Sequence, residues 1–181
     1  MKPLRNYISE AFKINKNTKL ESKYKYFPKT KEELKDILKT QLIKERGNEG
    51  DFNDIDTSEI TDMSYLFYFL DKFNGDISKW DVSNVKDMNR MFQGCQSFNQ
   101  DISKWDVSNV KDMESVFRGC QSFNQDISKW DVANVTNMKR MFFGCHSFNQ
   151  DISKWDVSNV SSYVEIFFSC PIEEKYEPKF K

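Results

Sequence analysis

The chain has 181 residues, with 27 basic and 28 acidic side chains, one His and four Cys. That near-neutral balance gives no global electrostatic argument for nucleic acid or an anionic membrane. No apolar run reaches the roughly 18 to 20 residues of a spanning helix, so insertion into a membrane as such a helix is excluded. The amino-terminal segment MKPLRNYISEAFK has no continuous apolar core and no small-residue cleavage site, so no secretory signal is read in it. This predicts a cytoplasmic or virion-associated protein rather than a secreted one.

In chain order, Leu4, Tyr7, Ile8, Ala11 and Phe12 follow helical spacing behind Pro3, and predict a short helix over residues 3–13. Its reading is a segment that packs on the body or frays, with a partner-docking peptide as the alternative. Residues 14–27 are Lys-rich and read as an irregular or extended link. Thr30 followed by Glu33 is a capping box, in which each side chain satisfies an orphan amide at a helix start. Leu34, Ile37, Leu38 and Leu42 trace one stripe, and Gly47 supplies a left-handed stop, so a helix is expected over residues 31–46. The segment 1–51 carries 13 basic and 8 acidic side chains, and is read as an N-terminal helical cap and link.

The rest is dominated by a repeat. Trp80, Trp105, Trp130 and Trp155 are 25 residues apart, as are Cys95, Cys120, Cys145 and Cys170. A fixed period of about 20 to 50 residues marks a repeat architecture. The repeat region runs over 52–172, as a degenerate coil (52–72) and full coils 73–97, 98–122, 123–147 and 148–172, followed by a charged tail, 173–181, read as loose. In the first full coil Ile77, Trp80 and Val82 fit the strand of a leucine-rich repeat, and Ser83-Asn84 turns the chain. Met88, Met91, Phe92 and Cys95 then fall at i, i+3, i+4 and i+7, one face of a helix, with Asp87 as N-cap and Gly94 at its end. The predicted fold is an α/β solenoid, leucine-rich-repeat-like, with short parallel strands, short α or 3-10 helices and the N-terminal helical cap.

The pattern FNQDISKWDVSNV followed by MxxMFxGC resembles the BspA-like leucine-rich repeats, in the 25-residue form common in mycoplasma surface proteins. It departs from the ordinary repeat in having Trp in place of Leu and Asn84 one position early. The resemblance implies surface or secreted binding proteins, some attached to host matrix proteins. Small relatives without a signal are similar to open reading frames of phages and mobile elements of gut bacteria.

Chemistry-bearing residues occur in columns. The Cys column completes the apolar face and reads as buried reduced thiols. Stacked coils also bring neighbouring Cα atoms within the roughly 4.4 to 6.8 Å of a disulfide, so Cys95–Cys120 and Cys145–Cys170 stay open. The columns led by Asp76 and Asp81 suit Asx turns neutralised by Lys79 and its equivalents, with calcium as the sharper alternative. A single His and uniform Ser, Asp and Lys columns single out no activated group, so no enzyme, cofactor or metal is expected. Nucleic acid is not expected either, because the full coils carry 10 basic and 12 acidic side chains. Side chains that differ between coils lie on the expected helix side. Arg90, Arg118, Arg140, Phe143 and His146 form the predicted contact face for a protein partner of unknown identity. The expected function is a non-enzymatic protein–protein interaction module. The alternative is a structural component of a larger assembly such as a phage particle, docked through the N-terminal segment.

Overall fold

The computed structural model describes residues 22–180. The helix expected over residues 3–13 and the first part of the link lie outside the described residues.

The repeat is built from turns. Asp76, Asp81 and Asp87 each accept the amide two residues on, from Ser78 (2.9 Å), Ser83 (3.0 Å) and Asn89 (2.8 Å). Such a side chain offers the backbone a local alternative to helix or ladder. Four-residue turns close between them, as Trp80 N–H donates to Ile77 (3.1 Å), Val85 to Val82 (2.9 Å), Met91 to Met88 (3.0 Å) and Cys95 to Phe92 (2.9 Å). In the last two turns the third residue is left-handed, Arg90 at φ 54° and Gly94 at φ 79°. The same positions recur as Ser115 and Gly119, then Arg140 and Gly144.

The expected α/β solenoid with short parallel strands and short helices is therefore overturned. Among the described residues there is no strand, only isolated parallel bridges such as Asp62 to Asp87 and Asp87 to Asp112. Among the described residues helix is confined to one segment before the repeat, in three contiguous pieces, and a 3-10 turn at Glu174–Tyr176. The reason is local. The i, i+3, i+4, i+7 spacing of Met88, Met91, Phe92 and Cys95 also marks the two ends of two successive four-residue turns. A helix would need right-handed φ at Arg90, and the chain there is left-handed. Ile77 and Trp80, expected on one strand, are instead the two ends of a turn.

Coils still stack. Amides of Met88, Arg90, Phe92 and Gly94 donate to the carbonyls of Asp112, Glu114, Val116 and Arg118 in the next coil, at 2.8–3.0 Å. Side chains add their own ladders. Trp80, Trp105, Trp130 and Trp155 donate Nε1–H to Phe52, Ile77, Ile102 and Ile127 carbonyls of the preceding coil, at 3.0–3.2 Å. Asn84, Asn109, Asn134 and Asn159 reach back likewise to Ser58, Ser83, Ser108 and Ala133. All four indoles are at most 5% exposed.

The interior is a double file of phenylalanines. Phe67, Phe92, Phe117, Phe142 and Phe167 stack with centroids 5.3–5.8 Å apart. Phe73, Phe98, Phe123 and Phe148 form the second file at 5.9–6.2 Å. Rings of the two files meet at 4.1–4.2 Å. Each buried ring contributes about 1.5–3 kcal/mol by removal from water, and offset ring pairs add roughly 0.5–1.5 kcal/mol.

The segment before the repeat comprises α1 (Lys31–Asp36), a π-helical stretch (Ile37–Leu42) and α2 (Ile43–Arg46). Thr30 Oγ1 accepts the Glu33 amide at 3.2 Å, and Glu33 Oε2 accepts the Lys29 amide at 2.7 Å. Leu34, Leu38 and Leu42 are fully buried and join the core of the coils. Polar clasps hold both ends, with Lys31 on Asp62 at 2.6 Å and Arg46 forked on Asp54 at 2.7 and 2.9 Å.

The expectation of a loose tail is also corrected. Ile152 N–H donates to the Tyr176 carbonyl at 3.0 Å, and Glu173 N–H to Asn149 Oδ1 at 2.9 Å. Phe180 stacks on Tyr163 at 4.4 Å and packs against the core. Among the described residues no helix is long and apolar enough to cross a membrane.

Candidate functional site

Gly94, Gly119 and Gly144 lie one above another, with φ of 79°, 73° and 70°. Left-handed backbone favours glycine, and a column of glycines leaves a trough where other columns project side chains. Gln93, Arg118 and Phe143 stand along one wall, and Gln96, Gln121 and His146 along the other. Together with Phe69 at one end they line a shallow, open groove of about 340 Å³. Phe69 takes the glycine place in the degenerate coil and is 61% exposed. Its ring lies across Gly94, where an added Cβ would come within 2.7 Å of it. Above Gly119 and Gly144, a Cβ would meet only the backbone of the neighbouring glycine, at 3.8–3.9 Å.

The structure brings three of the five predicted contact residues to this groove and leaves two outside it. Arg118 places its guanidinium 5.0 Å from the Phe143 ring centroid, and Phe143 stacks on Phe168 at 4.9 Å. His146 is exposed on the opposite wall. Arg90 and Arg140 occupy the left-handed turn position instead. Arg90 pairs with Glu114 at 2.8 Å and bonds the Tyr65 hydroxyl, and Arg140 pairs with Glu165 at 2.6 Å. Arg118 has no carboxylate partner among the described residues. Sequence reasoning misses the glycine floor and Phe69, and finds Gln93 only as the residue that varies with Arg118 and Phe143 from coil to coil. The Gly column is visible in the sequence and reads there as helix ends, and the Gly-to-Phe change at position 69 is its clearest signal. Gln93 is buried, and its Oε1 has no hydrogen-bond partner.

The cysteines are free. Cys95, Cys120 and Cys145 donate their thiols to the Phe67, Phe92 and Phe117 carbonyls at 2.8–3.0 Å. Burial pushes the Cys95 thiol up to about 12 and holds Cys120 and Cys145 well above the usual thiol range. A thiol that stays protonated is a poor nucleophile and metal ligand. Among the described residues no group of three or more His, Cys, Asp or Glu is placed to hold a metal ion.

The column of Asp62, Asp87, Asp112, Asn137 and Ser162 sits at the parallel bridges. Burial raises Asp87 above the usual carboxylate range, and Asp112 and Asp62 add to it, against the Asn89 amide. A raised carboxyl is disfavoured as an anion in the fold, so its ionisation costs stability above the carboxylate range and that cost vanishes below it. Asn137 makes the same amide bond, to Lys139 at 3.1 Å, without the charge. Asp87→Asn is therefore expected to stabilise the protein at neutral pH by a few tenths to about 1 kcal/mol, the scale of opposed like charges. Urea unfolding of both proteins at pH 7 and pH 3 checks this, and the gain should disappear at the lower pH. The turn-capping carboxylates behave oppositely. Ser103, Ser108, Ser128 and Ser153 hold Asp101, Asp106, Asp126 and Asp151 below the usual range, so their contribution is lost as pH falls through it.

These features define a class, a repeat protein of stacked, turn-built coils with a glycine-floored groove along one side. The family model described as "Mycoplasma protein of unknown function, DUF285" matches residues 38–128 and 102–172, and the chain belongs to that family. No curated protein and no solved structure matches the chain.

Proposed function

We propose that the protein is a non-enzymatic protein-interaction module, of the kind represented by the BspA-like repeat proteins its sequence resembles, and that the glycine-floored groove is its recognition face. One observation carries this reading. Most core positions are the same from coil to coil, with Val116 in place of Met91 and Met141 an exception, whereas the groove walls change from Gln93 to Arg118 to Phe143, and from Gln96 and Gln121 to His146. A wall holding a half-buried aromatic, Phe143, and an arginine without a carboxylate partner among the described residues has the composition of an interface anchor. The double variant Arg118→Ala, Phe143→Ala is expected to keep its melting temperature within a few degrees and to lose capture of the partner from extracts of the source cell. Undiminished capture would reject the groove as the recognition face. Co-sedimentation of the parent protein with particles, with no soluble partner, would move the function to a structural component of an assembly.

A further inference from the structure

We infer that the groove takes an extended peptide segment carrying an aromatic side chain and a carboxylate on the same side of its backbone. This rests on the reading of the groove as a recognition face and adds the chemistry of what it recognises.

The aromatic requirement comes from the molecule itself. Phe69 already lays a ring on the glycine floor at Gly94, so that station is filled from within. The next two stations repeat the floor, Gly119 and Gly144, without a ring upon it. They are flanked by the Arg118 guanidinium, the Phe143 ring, Gln121 and His146. A ring brought by a partner would meet there the surface that Phe69 meets one coil earlier. The exposed apolar side chains agree with this placement. Phe69 stands at one end of the groove, and Phe168, 58% exposed, extends the Phe143 wall at the other.

The carboxylate requirement comes from Arg118. Arg46, Arg90 and Arg140 each hold an acidic side chain, on Asp54, Glu114 and Glu165. Arg118 has a ring beneath it and no carboxylate among the described residues. A guanidinium held over an aromatic face keeps its forked donors for an incoming anion. Gln93 supplies a second, independent sign. It lines the groove, is 7% exposed, and its Oε1 has no partner. A buried unpaired amide oxygen is costly, and a peptide N–H entering the groove, with a rotation of the amide, would satisfy it. An extended chain suits the shape, because the floor runs in line across successive coils. Side chains two apart on such a chain face the same way at roughly 6.5–7 Å, enough to seat one over the glycines and one at Arg118.

The test uses the full chain and three dye-labelled capped hexapeptides read by fluorescence polarisation. The first carries one Phe and one Asp two residues apart, the second has Lys for the Asp, and the third has Ala for the Phe. The parent protein is expected to bind the first peptide, about tenfold or more above either twin, with affinity falling as salt is raised. Arg118→Glu should weaken the Asp peptide by about tenfold or more and strengthen the Lys twin. Equal binding of the Asp and Lys peptides, no loss with the Ala twin, or no binding of any of them would overturn the inference. So would tighter binding of a labelled oligo(dT) than of the Asp peptide. These outcomes are separable from failure of the recognition face. Loss of partner capture in the Arg118, Phe143 double variant with no peptide preference would keep the face and discard this ligand chemistry.

Discussion

Phe117→Ala is expected to destabilise the protein by about 3–5 kcal/mol, the range for removing a fully buried large aromatic from a packed core. Phe117 is 0% exposed and sits in the middle coil of the stack. It faces Phe92 at 5.8 Å, Phe142 at 5.7 Å, Phe123 at 4.1 Å and Trp130 at 6.1 Å. The vacated space is walled by rings on both sides, each held by its own coil's hydrogen bonds, so collapse into it is limited. Phe167 provides the control. It ends the same file, is only half-buried and has one file neighbour, Phe142 at 5.8 Å. Phe167→Ala is expected to lose roughly half as much or less, because a terminal repeat has one interface and a central one has two. Urea titration followed by tryptophan fluorescence measures both, since all four indoles are buried reporters. Equal losses at the two positions would mean that the coils are stabilised singly and not by one another.

The second large effect is expected at the start of the stack. Leu38→Ala should cost about 2–5 kcal/mol, because Leu38 is fully buried between Leu34 and Leu42 on the stripe that joins the core. What distinguishes this variant from Phe117→Ala is where the damage spreads. The helical segment Lys31–Arg46 is short, and an isolated helix of that length is marginal in water. Its hold on the coils includes that stripe, Lys31 on Asp62 and Ser64, and Arg46 on Asp54 and the Asp51 carbonyl. Loss of the central leucine should loosen the segment locally before the coils unfold. Amides of residues 31–46 would then exchange faster, while those of the Phe92 and Phe117 rows keep their protection. The apolar surface so exposed is expected to drive self-association, visible as a concentration-dependent sedimentation coefficient. Ile37→Ala, at a half-buried site on the same segment, should show both effects more weakly. Uniform acceleration of exchange across all coils would contradict a locally detachable helical segment.

Much of this molecule was legible in its residues. The 25-residue step of Trp, Phe, Met and Cys required like positions to share one interior, because no single coil can bury that much apolar surface alone. The capping box at Thr30 and Glu33, with the leucine stripe behind it, specified a helix from local chemistry. The Asp-Ser pairs carried their Asx turns in plain view, Arg118 and Phe143 stood in a column that changes from coil to coil, and His146 broke a run of Gln.

Tertiary structure alone decided how the chain moves between those positions. Inward residues at i, i+3, i+4 and i+7 suit a helix or a pair of turns equally, and the choice falls to the φ of Arg90, Ser115 and Arg140. A left-handed non-glycine residue costs roughly 1–2 kcal/mol, so local preference argues against it. The turns persist because each such residue donates its amide to the next coil, at 2.9–3.0 Å, and because the phenylalanine files lock the spacing. That interaction joins residues a whole coil apart, and nothing within one coil's sequence announces it. The groove follows from the same cause, since Gly94, Gly119 and Gly144 become a floor only when the turns stack them.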